Sequence, residues 1–203
     1  MLEGELTIPE EAPGIVLFAH GSGSSRHSPR NQFVARIIRE AGVGTLLFDL
    51  LTRDEESEDV STGHLRFNIG LLTKRLVDAT RWLAGLPNAR RLGLGYFGAS
   101  TGAAAALAAA VEIGPAIGAV VSRGGRPDLA GDALPLVSSP TLLIVGSLDP
   151  LVFRLNEQAL ASLRCEKRLT VVPNASHLFE EPGALDEVAG LAAGWFRQHL
   201  GRQ

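Results

Sequence analysis

Three residues of the types that form a nucleophilic triad occur in the order Ser100, Asp149 and His177. A serine hydroxyl attacks an acyl carbon well only when a base takes its proton, and a neutral imidazole suits that task near pH 7. A carboxylate on the other imidazole nitrogen fixes the tautomer of the base. These residue types predict acyl transfer, with Ser100 as nucleophile, His177 as base and Asp149 as its orienting acid.

The residues around Ser100 read Gly98-Ala99-Ser100-Thr101-Gly102, between a predicted strand and an alanine-rich predicted helix. A sharp strand-to-helix turn strains the serine backbone and exposes its hydroxyl. It also places the Thr101 amide at the helix N-terminus, where partial positive charge favours an oxyanion. The glycine pattern alone also fits an ordinary turn, so the flanking strand and helix decide for a nucleophile elbow.

Asp149 and His177 each follow a predicted strand, and each has a structural alternative. Asp149 could cap the helix that starts near Val152, and His177 could cap the segment after it. Among the other histidines, His20 stands at a strand end and is expected to order the next loop rather than act as base. Chain order and strand-end positions favour the Ser-Asp-His interpretation.

The loop that follows the first buried strand has the sequence His20-Gly21-Ser22-Gly23-Ser24-Ser25. Glycines allow a backbone to approach a substrate oxygen closely, so we expect this loop to supply the second oxyanion amide. We assign that amide to Ser22, with Gly23 as the near alternative and as a substrate contact.

Arginines at predicted loop ends of the same sheet edge could clamp a substrate carboxylate or phosphate. The candidates are Arg26, Arg30, Arg123 and Arg126, and Arg123, beside two glycines, is the strongest of them. The alternative for each is a solvated arginine or one paired with the acidic residues of segment 50–66.

Short apolar runs alternate with helical segments along the whole chain. The predicted strands are 14–19, 43–48, 92–97, 116–122, 141–145 and 169–172, with a further edge strand near 5–8; the predicted helices are 29–41, 67–86, 101–113, 152–163 and 183–200. Continuous rather than alternating apolar runs indicate strands covered on both faces. We therefore predict an α/β three-layer sandwich around a mostly parallel, doubly wound sheet of about six to seven strands. Ligands of such sheets bind beyond the carboxyl ends of the strands.

Two predicted connections are long. Segment 50–66 carries five carboxylates and no apolar period, and it is interpreted as an acidic loop, either solvated or lying over the site as a flap. Segment 124–139 is expected to hold a short helix near 129–134. Asp49, at the end of a predicted strand, is interpreted as structural.

On the elbow at Ser100, the His20-Gly21 loop, the Gly146-x-x-Asp149-x-x-Val152 segment and the His177 loop, the sequence resembles the α/β-hydrolase superfamily, and within it the small dienelactone-hydrolase-like proteins. The resemblance covers nearly the whole chain. It implies a serine hydrolase that acts on a small or medium carboxylic ester, thioester or lactone. Dienelactone hydrolases carry cysteine at the nucleophile, so Ser100 is a departure. A large cap insertion after segment 116–122 is absent, which predicts an open site.

Composition limits the other classes of function. The chain has 203 residues, 45% apolar and 20% charged, and 19 basic against 22 acidic residues give a net charge of −3. These values predict one globular domain over residues 1–203 that binds neither nucleic acid nor a membrane. One cysteine, no zinc-type spacing, no signal peptide and no long apolar stretch predict a cytoplasmic protein without metal, cofactor or disulfide. The expected partner is a small acyl substrate, and the sequence indicates no oligomeric state.

Two other classes of function compete with hydrolysis. The segment 93–98 matches Gly-x-Gly-x-x-Gly, but it lies inside a predicted strand instead of opening a helix, which argues against dinucleotide binding. A hydrolase fold can also serve as a catalytically silent ligand-binding or partner-binding domain, because fold does not determine function.

Overall fold

The computed structural model describes residues 2–201 and builds them around one seven-stranded sheet. The strands are β1 (Gly4–Thr7), β2 (Gly14–Ala19), β3 (Gly44–Phe48), β4 (Gly93–Ala99), β5 (Ile117–Arg123), β6 (Thr141–Gly146) and β7 (Lys167–Val172). Their order across the sheet is β1-β3-β2-β4-β5-β6-β7, and only β1, at one edge, pairs antiparallel to its neighbour. The predicted α/β class and strand number are confirmed.

Helices cover both faces of the sheet. They are α1 (Pro29–Glu40), α2 (Arg53–Thr62), α3 (Ile69–Ala84), α4 (Thr101–Ile113), α5 (Pro150–Ser162) and α6 (Ala184–Leu200). One apolar core joins the sheet to α1 and α6, and the other joins it to α3, α4 and α5. This arrangement places the carboxyl ends of the parallel strands at one edge of the molecule. The candidate functional residues stand at or just after the ends of β2, β4, β5, β6 and β7.

Helix α4, directly after Ser100, is almost entirely buried. Ala103, Ala104, Ala105 and Ala106 are all 0% exposed. Alanine suits this helix because its small side chain lets the helix approach both the sheet and α3 while costing almost no side-chain entropy. A helix enclosed on several sides gives Ser100 a rigid support.

Segment 50–66 is not an extended acidic loop as predicted, because it contains helix α2. Thr52 and Glu55 form a reciprocal capping box at its start, and Gly63 ends it in the left-handed conformation with φ 67°. Asp59 is only 2% exposed and pairs with Arg66, so a buried carboxylate anchors the helix. The acidic residues of the first turn also favour a helix N-terminus.

Segment 124–139 contains a helical stretch, Pro127–Leu136, that is wound mainly as a 3-10 helix. It is longer than the predicted helix at 129–134 and kinks at Gly131, where φ is 52°. Leu134 is buried in the stretch, whereas Leu136 is 64% exposed.

Two kinds of feature are absent from residues 2–201. No helix there combines the length and apolarity needed to cross a membrane. In the same residues, no group of three or more His, Cys, Asp or Glu side chains is arranged to hold a metal ion.

Candidate active site

Ser100 occupies the sharp turn between β4 and α4 in a backbone conformation that L-residues rarely adopt. Its φ is 50° and its ψ is −121°. The Ser100 N–H donates to the Arg123 carbonyl at 3.2 Å, and the Ser100 carbonyl accepts from Ala103 and Arg126 at 3.1 and 3.0 Å. Strain of this kind persists only where surrounding contacts enforce it, and it is concentrated at functional sites.

The turn can be this sharp because a residue without a side chain follows two positions later. A Cβ atom on Gly102 would overlap the Ala19 carbonyl at the end of β2. Gly98, two positions before the serine, is packed in the same way against the Ala103 backbone. The two glycines flanking Ser100 therefore let β2, β4 and α4 converge, as the elbow interpretation predicts.

Asp149 and His177 form a direct pair. His177 Nδ1 lies 2.7 Å from Asp149 Oδ2, a distance at which the ring nitrogen donates to the carboxylate. Asp149 Oδ1 also accepts from the Val152 N–H at 3.3 Å and so caps α5. The two interpretations of Asp149 are thus compatible, because one carboxylate oxygen caps the helix and the other orients the imidazole.

The loops carrying this pair are tied together by backbone contacts. The Leu148 N–H donates to the Ala175 carbonyl at 2.9 Å, and the Asn174 N–H donates to Ser147 Oγ at 2.8 Å. A side chain on Gly146 would overlap the Ala175 carbonyl, so only glycine lets the loop after β7 approach the end of β6. These contacts fix the spacing between Asp149 and His177.

His177 lies at the same sheet edge as Ser100, but the two side chains are not hydrogen-bonded in the described residues. A Cβ built on Gly124 would be 3.5 Å from His177 Nδ1, which places the imidazole over the end of β5. The preceding residue, Arg123, accepts the Ser100 N–H. Catalytic hydrogen bonds are commonly long in unliganded sites and shorten when substrate binds.

The loop after β2 packs directly against the elbow. A Cβ on Gly21 would lie 3.0 Å from Ser100 Cβ. The Ser24 N–H donates to the Gly21 carbonyl at 3.2 Å, which closes a turn with Ser22 and Gly23 at its centre. Thr101 is the first residue of α4, so its amide has no partner within the helix. Ser22 thus belongs to the loop that packs against Ser100, and Thr101 follows Ser100 directly; their role as oxyanion donors stays a prediction.

His20 holds this loop in place rather than offering a base. Its Nδ1–H donates to the Gly21 carbonyl at 3.0 Å, and its Nε2 accepts from the Leu50 N–H at 3.0 Å. The Leu50 contact requires the neutral ring, because a protonated Nε2 cannot accept a hydrogen bond. Burial lowers the pKa of His20 below its usual value of 6.5, against the opposing influence of the Gly21 hydrogen bond.

Replacing His20 with glutamine is expected to flatten the dependence of stability on pH. With the folded-state pKa below the unfolded value, the unfolded chain binds more protons, so stability decreases as pH falls below about 6.5. The slope can reach about 1.4 kcal/mol per pH unit. Glutamine can still accept from Leu50 but does not titrate. Urea unfolding at pH 5.5 and 7.0 measures the difference, and identical pH slopes in both proteins would contradict this role.

Arg26 does not offer a free cation to a substrate, contrary to its assignment from the sequence. Its guanidinium pairs with Asp49 and also contacts Glu3 at 2.5 Å, and its backbone N–H donates to Asp49 at 2.7 Å. Asp49 is structural, as expected, and these contacts anchor the chain that leaves the Ser22 loop. Asp49 and Glu3 each lie 23 positions from Arg26, on opposite sides of it in the sequence. No local sequence pattern could therefore have predicted this cluster.

Arg123 is a different case. It is 8% exposed, and its Nε and Nη1 atoms are shielded from solvent with no hydrogen-bond partner among residues 2–201. Burial, and secondarily the charge of Arg30, lower the pKa of Arg123 to about 10. The group therefore stays charged at neutral pH.

Arg66 is a residue near the site that the sequence did not single out. Gly23 lies beside it, because a Cβ there would be 3.9 Å from Arg66 Nη1. Arg66, Asp59 and Glu56 form one wall of a cavity of about 40 Å³ whose other wall is the 20–25 loop. The capping pattern Thr52-x-x-Glu55 is the available indication in the sequence that this segment begins a helix.

Comparisons with known proteins bear on the family and the fold of this chain. Residues 2–198 match the model of the dienelactone hydrolase family. A dienelactone hydrolase from Anabaena variabilis has 61% sequence identity and a TM-score of 0.97, covering 98% of this chain and 92% of its own. An α/β serine hydrolase without lid from Xanthomonas campestris shares the fold, with a TM-score of 0.78 at 22% identity over 100% of this chain and 91% of its own.

Two curated relatives from Mycobacterium tuberculosis are 57% identical over 197 residues, which is 97% of this chain. Their names assign them provisionally to the phosphoribosyl transferases. The chain spans 44% of their length, so less than half of each relative is matched. The matched family model and the similarity to the Anabaena variabilis protein over almost the full chain together show that this protein belongs to the dienelactone hydrolase family.

Proposed function

We propose that this protein is a serine hydrolase that cleaves a small or medium carboxylic ester, thioester or lactone through an acyl-enzyme intermediate. The observation that carries the proposal is the 2.7 Å bond between His177 Nδ1 and Asp149 Oδ2 at the sheet edge where Ser100 stands in its strained turn. In the neutral ring this bond keeps the proton on Nδ1, so Nε2 is the nitrogen that can accept a proton as a base.

In the proposed first step, Ser100 Oγ bonds to the acyl carbon while His177 Nε2 takes its proton. The carbonyl oxygen becomes an oxyanion, which the Ser22 and Thr101 amides stabilise. As the tetrahedral intermediate collapses, the bond to the leaving group breaks and His177 returns the proton to that group. Water then repeats the sequence on the acyl-enzyme, which releases the acid and restores Ser100.

The proposed small or medium substrate size is supported by the short connection between β5 and β6 beside the candidate site. The connection from β5 to β6 holds only the Pro127–Leu136 stretch, and a long acyl chain would need a deep apolar tunnel. The relatives' transferase name describes proteins more than twice this length, so the proposed reaction rests on the site rather than on that name.

A fluorophosphonate probe tests the proposal and separates it from a catalytically silent binding domain. We expect the intact protein to gain the mass of one phosphonyl group, mapped to the peptide containing Ser100. Heat-unfolded protein is the control, because an ordinary serine reacts only when a base activates it. Labelling of another serine, or no labelling of the folded protein, would reject the assignment.

A further inference from the structure

Asn156 is a fully buried polar residue in the second turn of α5, the helix that Asp149 caps. Its Nδ2 donates to the Val152 carbonyl at 2.8 Å and to the Gly125 carbonyl at 3.0 Å. Because a carbonyl oxygen only accepts, the side chain must turn its NH₂ group toward both partners. Its Oδ1 is buried and has no partner among residues 2–201, so these two donated bonds are the polar contacts that hold the side chain.

The two bonds of Asn156 join different parts of the molecule. The bond to Val152 stays within α5, four residues along the same helix, and positions nothing outside it. The bond to Gly125 spans 31 positions in sequence and connects α5 to residues 124–126, which directly follow β5 and are called the β5 loop here. Asn156 therefore ties the helix after Asp149 to a different strand end.

The β5 loop holds the backbone of the proposed nucleophile. The Ser100 N–H donates to the carbonyl of Arg123, the last residue of β5, at 3.2 Å, and the Arg126 N–H donates to the Ser100 carbonyl at 3.0 Å. Gly125 lies between these contacts, and a Cβ there would be 2.6 Å from Ala103 Cβ in the first turn of α4. Contacts of this kind enforce the strained backbone of Ser100.

The other end of the link is the acid of the proposed triad. Asp149 Oδ1 accepts from the Val152 N–H at 3.3 Å, while its Oδ2 holds His177. The Val152 carbonyl in turn accepts from Asn156. A short series of hydrogen bonds thus leads from the Asp149 carboxylate through Val152 and Asn156 to Gly125, beside the residues that hold Ser100.

We propose that Asn156 is a positioning residue for the proposed hydrolysis, which fixes the Asp149–His177 pair relative to Ser100. The inference rests on the proposed hydrolase function. In the first step His177 must take the proton of Ser100, and a misplacement of about 1 Å between such groups can lower a rate about 100-fold. Asn156 contacts none of the reacting atoms, so it acts through the backbone of the β5 loop.

The variant Asn156→Thr separates the link from the bond within the helix. Threonine is similar in size to asparagine, and its hydroxyl can donate to the carbonyl four residues earlier but is too short to reach Gly125 as well. We expect kcat on 4-nitrophenyl butyrate to fall at least about tenfold while KM stays within about twofold. The rate of fluorophosphonate labelling should fall to a similar extent, because it depends on the activation of Ser100.

A matched control removes a buried bond of the same kind far from the site. Ser139, 2% exposed, donates through Oγ to the carbonyl of Ile117 at 2.7 Å, at the opposite end of β5 from Arg123. Ser139→Ala should lose stability in urea unfolding but keep the wild-type kcat and labelling rate. If a folded Asn156→Thr also kept both rates, its contribution would be to stability and the positioning role would be overturned.

Hydrogen exchange at the Arg126 amide tests the link without requiring hydrolysis. We expect Asn156→Thr to speed this exchange at least about tenfold relative to the amides of β4, and Ser139→Ala to leave it unchanged. Unchanged exchange in Asn156→Thr would overturn the link. If the wild type cleaves no ester and Ser100 is not labelled, the hydrolase proposal fails, whereas the exchange still decides whether Asn156 holds the β5 loop. Should Asn156→Thr fail to fold, the smaller Asn156→Ser replaces it under the same criteria, because serine also bonds within the helix.

Discussion

Replacing Ser100 with alanine is expected to lower kcat at least about 10³-fold on any ester that the wild type cleaves. The loss follows from the proposed mechanism, because alanine has no hydroxyl that could bond to the acyl carbon and pass its proton to His177. Residual activity should come only from binding and the oxyanion amides. Steady-state kinetics measures the fall in kcat, and the absence of phosphonyl labelling shows that the reactive hydroxyl has been removed.

A second variant, Ser100→Gly, separates this catalytic loss from damage to the fold. Serine and alanine are both strained at φ 50°, whereas glycine adopts positive φ without a steric penalty. We expect both variants to be inactive and Ser100→Gly to be about 1 kcal/mol more stable than Ser100→Ala. An active Ser100→Ala variant would place the nucleophile elsewhere. Equal stability of the two variants would mean that the elbow stores no strain.

The sheet could be predicted from sequence because its strands are covered on both faces. Every residue of the strands Gly14–Ala19 and Thr141–Gly146 is buried. Because neither strand has an exposed face that would carry polar residues, each appears in the sequence as a continuous apolar run. In a parallel sheet the carboxyl ends of the strands meet at one edge, so residues that follow these strands are expected to lie together there. Ser100, Asp149 and His177 can therefore be assigned to one edge of the sheet from the sequence.

The features that the sequence did not reveal depend on contacts between distant residues. Helix α2 has no apolar face, and its stability comes from terminal capping and from the pair of Asp59 with Arg66. The sequence does not show that Arg26 is neutralised, because its partners Glu3 and Asp49 each lie 23 positions away from it. A charge pattern shows where ions are, but only the fold determines which of them are neutralised, as the contrast with Arg123 demonstrates.

The double role of Asp149 allows its chemistry to be separated from its contribution to stability. Asparagine caps helices about as well as aspartate, so Asp149→Asn should keep the Val152 contact and change the free energy of unfolding by less than about 0.5 kcal/mol. With its oxygen on Val152, the amide presents an N–H to His177 Nδ1. That ring nitrogen must then accept, which moves the ring proton to Nε2.

An imidazole protonated at Nε2 cannot take the Ser100 proton, so Asp149→Asn is expected to lower kcat by about 10³- to 10⁴-fold despite its intact fold. The matched variant Asp149→Ala loses the cap as well, and it should cost about 1 kcal/mol of stability in addition to the activity. Urea unfolding and ester kinetics on both variants give the comparison. If Asp149→Asn retained activity within tenfold of the wild type, another group would have to orient His177, and the proposed role of Asp149 would be wrong.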